Sequence, residues 1–345
     1  MSDYHVQEIA PDVWQQFLLK CENTLFVQSR TFGELYSLLK ETYLILGIFD
    51  QEDTLVGGSL VVTTHARRGN FLYLPYGPVI AGGDGVWRGA LSALAAFLED
   101  YAKKHSFDFI RVSPFVPDTE FFRSLFRSLG FRVAPMHMLA EYTWVLPLHN
   151  TLEDIRQGMK KNHRNLIHRL EKAGVTVVQT TEETALQRLN DMHDVVAQRH
   201  KFHRFSREFV DMEFSLFSKR GEAAVFEAYL PSGQIDASAV IIFFGNMACY
   251  RHSASLNTDP YLPTSYLIQW CAIQEAKKRG LQWYNFWGVA PENAKKTHPF
   301  YGITHFKKGF GGSQKNLLHC HDLPVSKNYW LNWLIESIRR KKRGF

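Results

Sequence analysis

The chain has 345 residues, 45% hydrophobic and 21% charged, with a net charge of +6. That balance excludes disordered and fibrous classes, supplies apolar material for two domains, and points to an anionic partner such as nucleic acid, a nucleotide-linked substrate or a membrane surface. The N-terminal MSDYHVQEIAPDVW lacks the basic and apolar regions of a signal peptide. No apolar run reaches the roughly 18 residues that span a bilayer, so a cytoplasmic location is expected. Cys21, Cys249, Cys271 and Cys320 show no CxxC spacing and read as reduced packing thiols.

In chain order, GIFDQEDTLVGGSLVVT (47–63) predicts a hairpin, with turn residues between two strand-like runs, and FLYLPYGPV (71–79) a further aromatic strand. ALSALAAFLEDYAKKHSFDFIRVSP (90–114) predicts a helix running into a buried strand. The same order returns: VFEAYLPSGQIDASAVIIF (225–243) is a second hairpin, ACYRHSAS (248–255) a strand, and TSYLIQWCAIQEAKKRGLQWYNFWGVAP (264–291) a helix and strand, again with AKK near the helix end. The economical reading is two copies of one α/β unit, joined near Pro147 to Asn150.

Between the copies, NTLEDIRQGMKKNHRNLIHRLEKAGVTVV predicts one helix, capped by Asn150 or Thr151 and ended by Gly174, before a strand at 175–178. Leu152, Ile155, Met159, Leu166 and Leu170 form its apolar stripe. From residue 156 to 172, Arg156, Lys160, Lys161, Arg164, Arg169 and Lys172 stand against the single acid Glu171, which reads as a phosphate-binding surface as readily as a solvated face.

His200 and His203 have HxxH spacing without the further ligands zinc needs. The neighbouring Arg199, Lys201 and Arg204 fit a phosphate or carboxylate, which a guanidinium grips bidentately, or else form an exposed loop of ordinary charges. His319, Cys320 and His321 read as strand packing, because strand neighbours face opposite ways. No metal and no cofactor is expected. P-loop, GxGxxG and GxSxG signatures are missing. The R/QxxGxG/A cradle for coenzyme A is approached only by RTFGEL (30–35) and RSLGFR (127–132), each without its final small residue.

LYLPYGPV (72–79), MKKNHRNLIHRLEKAGVTV (159–177), YLIQWCAIQEAKKRG (266–280), YNFWGVAP (284–291) and GITHFKKGFGG (302–312) together resemble the Fem aminoacyltransferases, which build peptidoglycan cross-bridges. The resemblance runs in order over nearly the whole chain. It implies an α/β (α+β) fold of two tandem GNAT-like domains, each a mixed central sheet flanked by helices: 1–148, to which 322–345 returns, and 149–321. No extended heptad segment is present, which matches the armless FemX type. The implied reaction moves an amino acid from aminoacyl-tRNA to an amine on the stem peptide of a peptidoglycan precursor, either lipid II or UDP-MurNAc-peptide.

The resemblance also implies site residues. Lys307, directly after Phe306, matches the family's implicated lysine and would stabilise the tetrahedral oxyanion of acyl transfer. Gly309, Gly311 and Gly312 would admit a ligand to bare backbone, or simply form a tight turn between strands. Arg204 matches the arginine that holds the precursor's diphosphate. Tyr36 stands where the family has a nucleotide-side lysine, Ser113 where it has an acid before proline, and His252 where it has a substrate-contacting tyrosine. Without that acid, the attacking amine can pass its proton to the departing tRNA hydroxyl. Lys160, Lys161, Arg164 and Arg169 are the expected tRNA contacts.

The C-terminal YWLNWLIESIRRKKRGF joins Trp330, Trp333, Leu334 and Ile338 to Arg339, Arg340, Lys341, Lys342 and Arg343. It suits peripheral contact with an anionic bilayer, tRNA phosphates, or a disordered basic tail. Two rival readings stay open: an acyl-CoA-dependent GNAT-type N-acyltransferase on another amine, and a non-catalytic RNA-binding or wall-assembly scaffold, which Tyr36 and Ser113 favour. The donated amino acid and the oligomeric state are not fixed by the sequence.

Overall fold

The short strand His5–Glu8 (β1) leads into helix Pro11–Lys20 (α1), whose first position holds a proline, a residue with φ pre-set for a helix and no N–H to leave unpaired there. Ser29 caps the next helix, Arg30–Leu38 (α2), by accepting from the Phe32 N–H. The first predicted hairpin is β2 (Thr42–Phe49) and β3 (Leu55–Ala66), in antiparallel register from Thr42 opposite Thr63 to Phe49 opposite Leu55. After β4 (Gly69–Pro75) and the short β5 (Val79–Ile80), helix Asp84–Lys104 (α3) buries Ala90, Leu91, Leu94, Ala95 and Leu98, a stripe at three- and four-residue spacing. β6 (Phe109–Ser113) then runs parallel to β4, and α4 (Glu120–Ser128) and β7 (Arg132–Val133) follow.

The computed structural model describes residues 3–22, 24–66, 69–200, 203–296, 298 and 300–343. It continues with β8 (Tyr142–Pro147), α5 (Leu152–Gln157), α6 (Lys161–Lys172), β9 (Thr176–Thr180), α7 (Glu183–His200) and α8 (Arg207–Ser218). The second hairpin is β10 (Ala223–Tyr229) and β11 (Ile235–Phe244), and β12 (Met247–Ser255) extends it. Helix Ser265–Lys278 (α9) ends at Gly280, whose φ of 77° is a conformation that favours glycine. Then come β13 (Trp283–Gly288), α10 (Tyr301–Lys308), β14 (Ser313–Asn316), β15 (His321–Pro324) and α11 (Tyr329–Arg343).

Two compact units result, Met1–Glu141 with Asn316–Phe345, and Tyr142–Lys315. Among the described residues the first unit's sheet has eight strands in the order β1-β2-β3-β4-β6-β15-β7, with β5 on β3. The second unit's sheet has seven, β14-β8-β13-β12-β11-β10-β9. Each is mixed and flanked by helices, and each repeats one order: hairpin, third strand, helix, then a strand parallel to the third. In the second unit the parallel pairing runs from Met247–Trp283 to Cys249–Asn285 and stops, although β12 continues to Ser255 and β13 to Gly288. The two strand ends part there, with Arg251 and His252 on β12 and Gly288, the partner of Lys307, on β13.

Three local expectations change. The single basic helix is two helices, because Gly158, Met159 and Lys160 interrupt it: the Lys160 backbone is extended and its N–H turns to Gly309 O (2.9 Å). Thr151 is the N-cap, in a capping box with Asp154. Gly309, Gly311 and Gly312 link helix α10 to β14 rather than forming a turn between two strands. The C-terminal segment is helical through Arg343, which removes the disordered-tail reading.

Candidate active site

Thr304 fixes α10 on the segment that leaves β13, since its Oγ1 accepts from Ala290 N–H (2.7 Å) and donates to Phe300 O (2.6 Å). One turn later Lys307 is only 4% exposed, and its Nζ donates to Gly288 O at 2.6 Å. Among the described residues no carboxylate reaches this ammonium, and two of its three N–H donors have no partner. Burial drags the amine from 10.5 down to about 7. The carbonyls at the C-terminal end of α10 oppose this by favouring a cation. Lys307 therefore stands near the balance between ammonium and free amine at neutral pH. Phe306 is engaged in packing, edge-to-face on Tyr266 (4.9 Å) and Phe310 (5.3 Å). The Lys308 ammonium lies 5.2 Å from the Trp144 ring centre.

The glycines after Lys307 serve close packing within the protein. A Cβ on Gly309 would fall 1.8 Å from His163 Cε1, and one on Gly312 2.3 Å from Val145 O. His163 donates from Nε2 to Phe306 O (2.9 Å) and packs edge-on against Phe310 (4.9 Å). Burial holds its ring neutral, and its Nδ1 has no partner among the described residues. The basic segment is thus bonded to α10 beside Lys307, and Lys160 and Lys161 are exposed there. The other cations diverge. Arg164 donates to Gln157 O (2.8 Å) and Met159 O, closing the end of α5, and Arg156 pairs with Glu171 (2.8 Å). Arg169 is exposed on α6.

On the far side of the opening, Glu213 of α8 is buried beneath β12. Arg251 donates to it from Nε and Nη2 (3.0 and 2.9 Å), and His252 from Nε2 (2.6 Å). Burial alone would raise the Glu213 carboxyl, but Arg251 and His252 hold it down at about 2. His252 itself is kept neutral by burial. Arg251 also lies 5.4 Å from the ring of Trp287, a residue with φ 66° immediately before the Gly288 that Lys307 contacts. Phe205 lies against both Arg251 (5.2 Å) and His252 (5.6 Å). Arg204 precedes it and turns inward, onto Asn190 O (2.8 Å), Asn190 Oδ1 (2.6 Å) and Asp194 (3.2 Å). His200 closes α7, Arg199 donates to Leu256 O (2.8 Å), and Lys201 lies outside the described residues. Among the described residues no group of three or more His, Cys, Asp or Glu side chains could hold a metal.

The remaining candidates belong to the first unit. Tyr36 is half-buried on α2, edge-to-face on Phe32 (5.3 Å). Ser113 ends β6, buried, accepting from Tyr73 Oη (3.3 Å) and donating to Cys320 Sγ (3.4 Å). The carboxylate nearby is Glu141, which shares with Ser113 a cavity of about 10 Å³ and is engaged by His319 Nδ1 (2.6 Å) and Cys320 N (3.1 Å). Of the triplet His319, Cys320 and His321, only His321 enters a strand. RSLGFR falls at the C-terminal end of α4, where the helix presents carbonyls, so it cannot cradle phosphate. RTFGEL opens α2, with Arg30 paired to Asp12.

Sequence reasoning missed Glu213, Arg251, Trp287 and His163. A signal existed for Glu213, an acid inside the apolar stripe Val210, Phe214 and Phe217 of α8.

The profile of the FemAB family matches residues 9–123 and 207–337. Among solved structures, the chain is similar to FemX, with TM-score 0.84 and 16% identity, over 96% of this chain and 100% of that one. It is similar to L-PGS from Bacillus licheniformis, with TM-score 0.58 and 12% identity over 96% and 98%. A tandem GNAT protein from the clavulanic acid biosynthesis pathway follows at TM-score 0.51 and 11% identity, over 94% and 99%. These likenesses show the fold, a mixed α/β pair of GNAT-like units. No curated relative matches. Among the described residues no helix is long and apolar enough to cross a membrane.

Proposed function

The chain belongs to the FemAB family and is an aminoacyl-tRNA-dependent transferase of cell-wall synthesis, and from that premise we propose that it moves an amino acid onto an amine of a peptidoglycan-precursor stem peptide, with Lys307 stabilising the oxyanion. The observation that carries the role of Lys307 is a nearly buried lysine with, among the described residues, no carboxylate partner and two N–H donors left over. The acceptor amine attacks the ester carbonyl carbon, a C–N bond forms, and negative charge collects on oxygen. A donor fixed in a dry site stabilises that charge more than it stabilises the neutral ester. Collapse breaks the ester C–O bond, and the amine proton leaves with the tRNA hydroxyl.

The exposed Lys160 and Lys161, bonded through their backbone segment to the same helix end, support donor tRNA beside Lys307. Arg169, exposed further along α6, is a separate proposed tRNA contact. Arg164 supports the Lys160 and Lys161 surface indirectly by closing α5. Arg204 and His252 are the proposed acceptor side in this unit, and Phe306 positions Lys307 by packing. Arg204 can exchange Asp194 for a phosphate without stranding the acid, because Arg207 also holds Asp194. Tyr36 and Ser113 are proposed acceptor contacts of the first unit, and lipid II and UDP-MurNAc-peptide both remain acceptors to be assayed.

A second role for Lys307 follows from its amine at about 7: the unprotonated form could take the proton of the attacking amine. The test of the main reading is transfer of a labelled amino acid from pre-charged tRNA to precursor, with and without ribonuclease. Lys307→Met should lose about a hundredfold in turnover while staying folded. Activity within threefold of wild type would remove Lys307 from the chemistry, and ribonuclease-resistant transfer from acyl-CoA would overturn the donor.

A further inference from the structure

Helix α11 is inverted relative to an ordinary surface helix, polar inward and apolar outward. Asn332 is buried, and Glu336 places its two oxygens on the Arg111 guanidinium (3.0 and 2.8 Å), which also forks onto the buried Asp322 (2.7 and 2.8 Å). The buried Tyr329 lies on the same side, donating to Asp322 (3.4 Å). The opposite side carries Trp330, Leu331, Leu334 and Ile338, which are 48, 62, 51 and 47% exposed, with Trp333 on its shoulder at 36%. One exposed leucine means little, but a single helix face made of such residues marks an interaction surface.

Charge identifies what covers it. The one acid of α11, Glu336, points inward, so the outward face carries no negative group. Cations stand at both ends. Arg132 lies 5.4 Å from the Trp330 ring centre and Lys327 is exposed before the helix; Arg339, Arg340 and Lys341 are exposed in its last turns, and Lys342 and Arg343 follow. A second copy paired through this face would set cation against cation in either orientation of the two helices. An RNA would satisfy the cations and leave the apolar face in water. An anionic bilayer meets both, because tryptophans favour the headgroup boundary and basic residues its phosphates.

We propose that α11 lies flat on an anionic phospholipid surface, with Trp330, Leu331, Leu334 and Ile338 in the acyl boundary and the flanking cations among the headgroups. This goes beyond the transfer reaction and does not depend on which precursor accepts. The experiment is sedimentation of the full chain with vesicles of phosphatidylcholine alone, or with about a third phosphatidylglycerol. Binding is expected only to the anionic vesicles, and Leu334→Ser/Ile338→Ser should weaken it at least about tenfold. Arg339→Gln/Arg340→Gln/Lys341→Gln should weaken it about a hundredfold, at about fivefold per charge. The substituted side chains are exposed, so circular dichroism and the thermal midpoint should stay at wild-type values.

Independently of those variants, brominated acyl chains should quench wild-type tryptophan fluorescence, and the quenching should vanish in Trp330→Phe/Trp333→Phe. Equal binding to both vesicle types, an apolar variant within twofold of wild type, or no bromine quenching would each overturn the proposal. A vesicle-free dimer lost in the apolar variant would reassign the face to a second copy, and tRNA retention lost in that variant would reassign it to RNA.

Discussion

Replacing Lys307 by Met should stabilise the protein while disabling it, by an amount that changes with pH. The folded amine lies at about 7 against 10.5 for an ordinary lysine. The unfolded chain therefore holds a proton between those values that the folded chain has released. Folding of the wild type is penalised in full below about pH 7, and the penalty is relieved as pH rises toward 10.5. Linkage over those two pKa values gives about 4 kcal/mol at pH 7 and about 2 kcal/mol at pH 9. The bond to Gly288 O returns about 1 kcal/mol to the wild type. Lys307→Met is therefore expected to be more stable by about 3 kcal/mol at pH 7 and about 1 kcal/mol at pH 9. Guanidinium unfolding of both proteins at the two pH values measures this, and taking the difference cancels the other titrating groups. A Met variant less stable at pH 7, or a gap that does not shrink at pH 9, would refute the argument that burial alone moves this amine.

The pH dependence of the ratio of wild-type to Lys307→Met turnover separates the two roles of the lysine. As oxyanion cation its advantage is greatest below about pH 7 and lost above, as base the reverse, and Lys307→Arg should keep a cation's advantage to alkaline pH. Gly309→Ala should lower stability by about 1–3 kcal/mol through the clash with His163. Adding His163→Ala should recover part of that loss, which a double-mutant cycle of thermal unfolding would show as a coupling of opposite sign. Lys160→Gln/Lys161→Gln should reduce the salt slope of tRNA binding by about two, whereas an unchanged slope would take both lysines off the phosphates.

The repeated order of hairpin, strand, helix and strand was legible because its signals are local: alternating strands around Asp50–Asp53 and Pro231–Gly233, apolar spacing in α3 and α9, and Gly280 after α9. The break between α5 and α6 was not, because one of its two causes lies far off in sequence. Gly309 O draws the Lys160 N–H out of the helix, and Arg164 folds back onto Gln157 and Met159. The motif around Lys307 was legible as chemistry but not as burial, since the carbonyl that receives its ammonium comes from the end of β13, far off in sequence. Arg251 sits in a run that reads as an ordinary strand, and its partner Glu213 lies 38 residues earlier.

Physically, the segments 159–177 and 302–312 are one joint rather than two motifs. Lys160 N–H meets Gly309 O, His163 Nε2 meets Phe306 O, and Gly309 is small because the imidazole occupies the space of a side chain. Phe310 closes the joint from beneath, fully buried against His163 and Phe286. A cation at the exposed end of the basic segment is thereby held by short bonds to the helix that carries Lys307, with no long flexible linker between them. If the tRNA backbone rests on Lys160 and Lys161, its position relative to Lys307 is set by this joint. Loosening it at His163 should then slow transfer more than it weakens tRNA binding, because placement is lost while the charges remain.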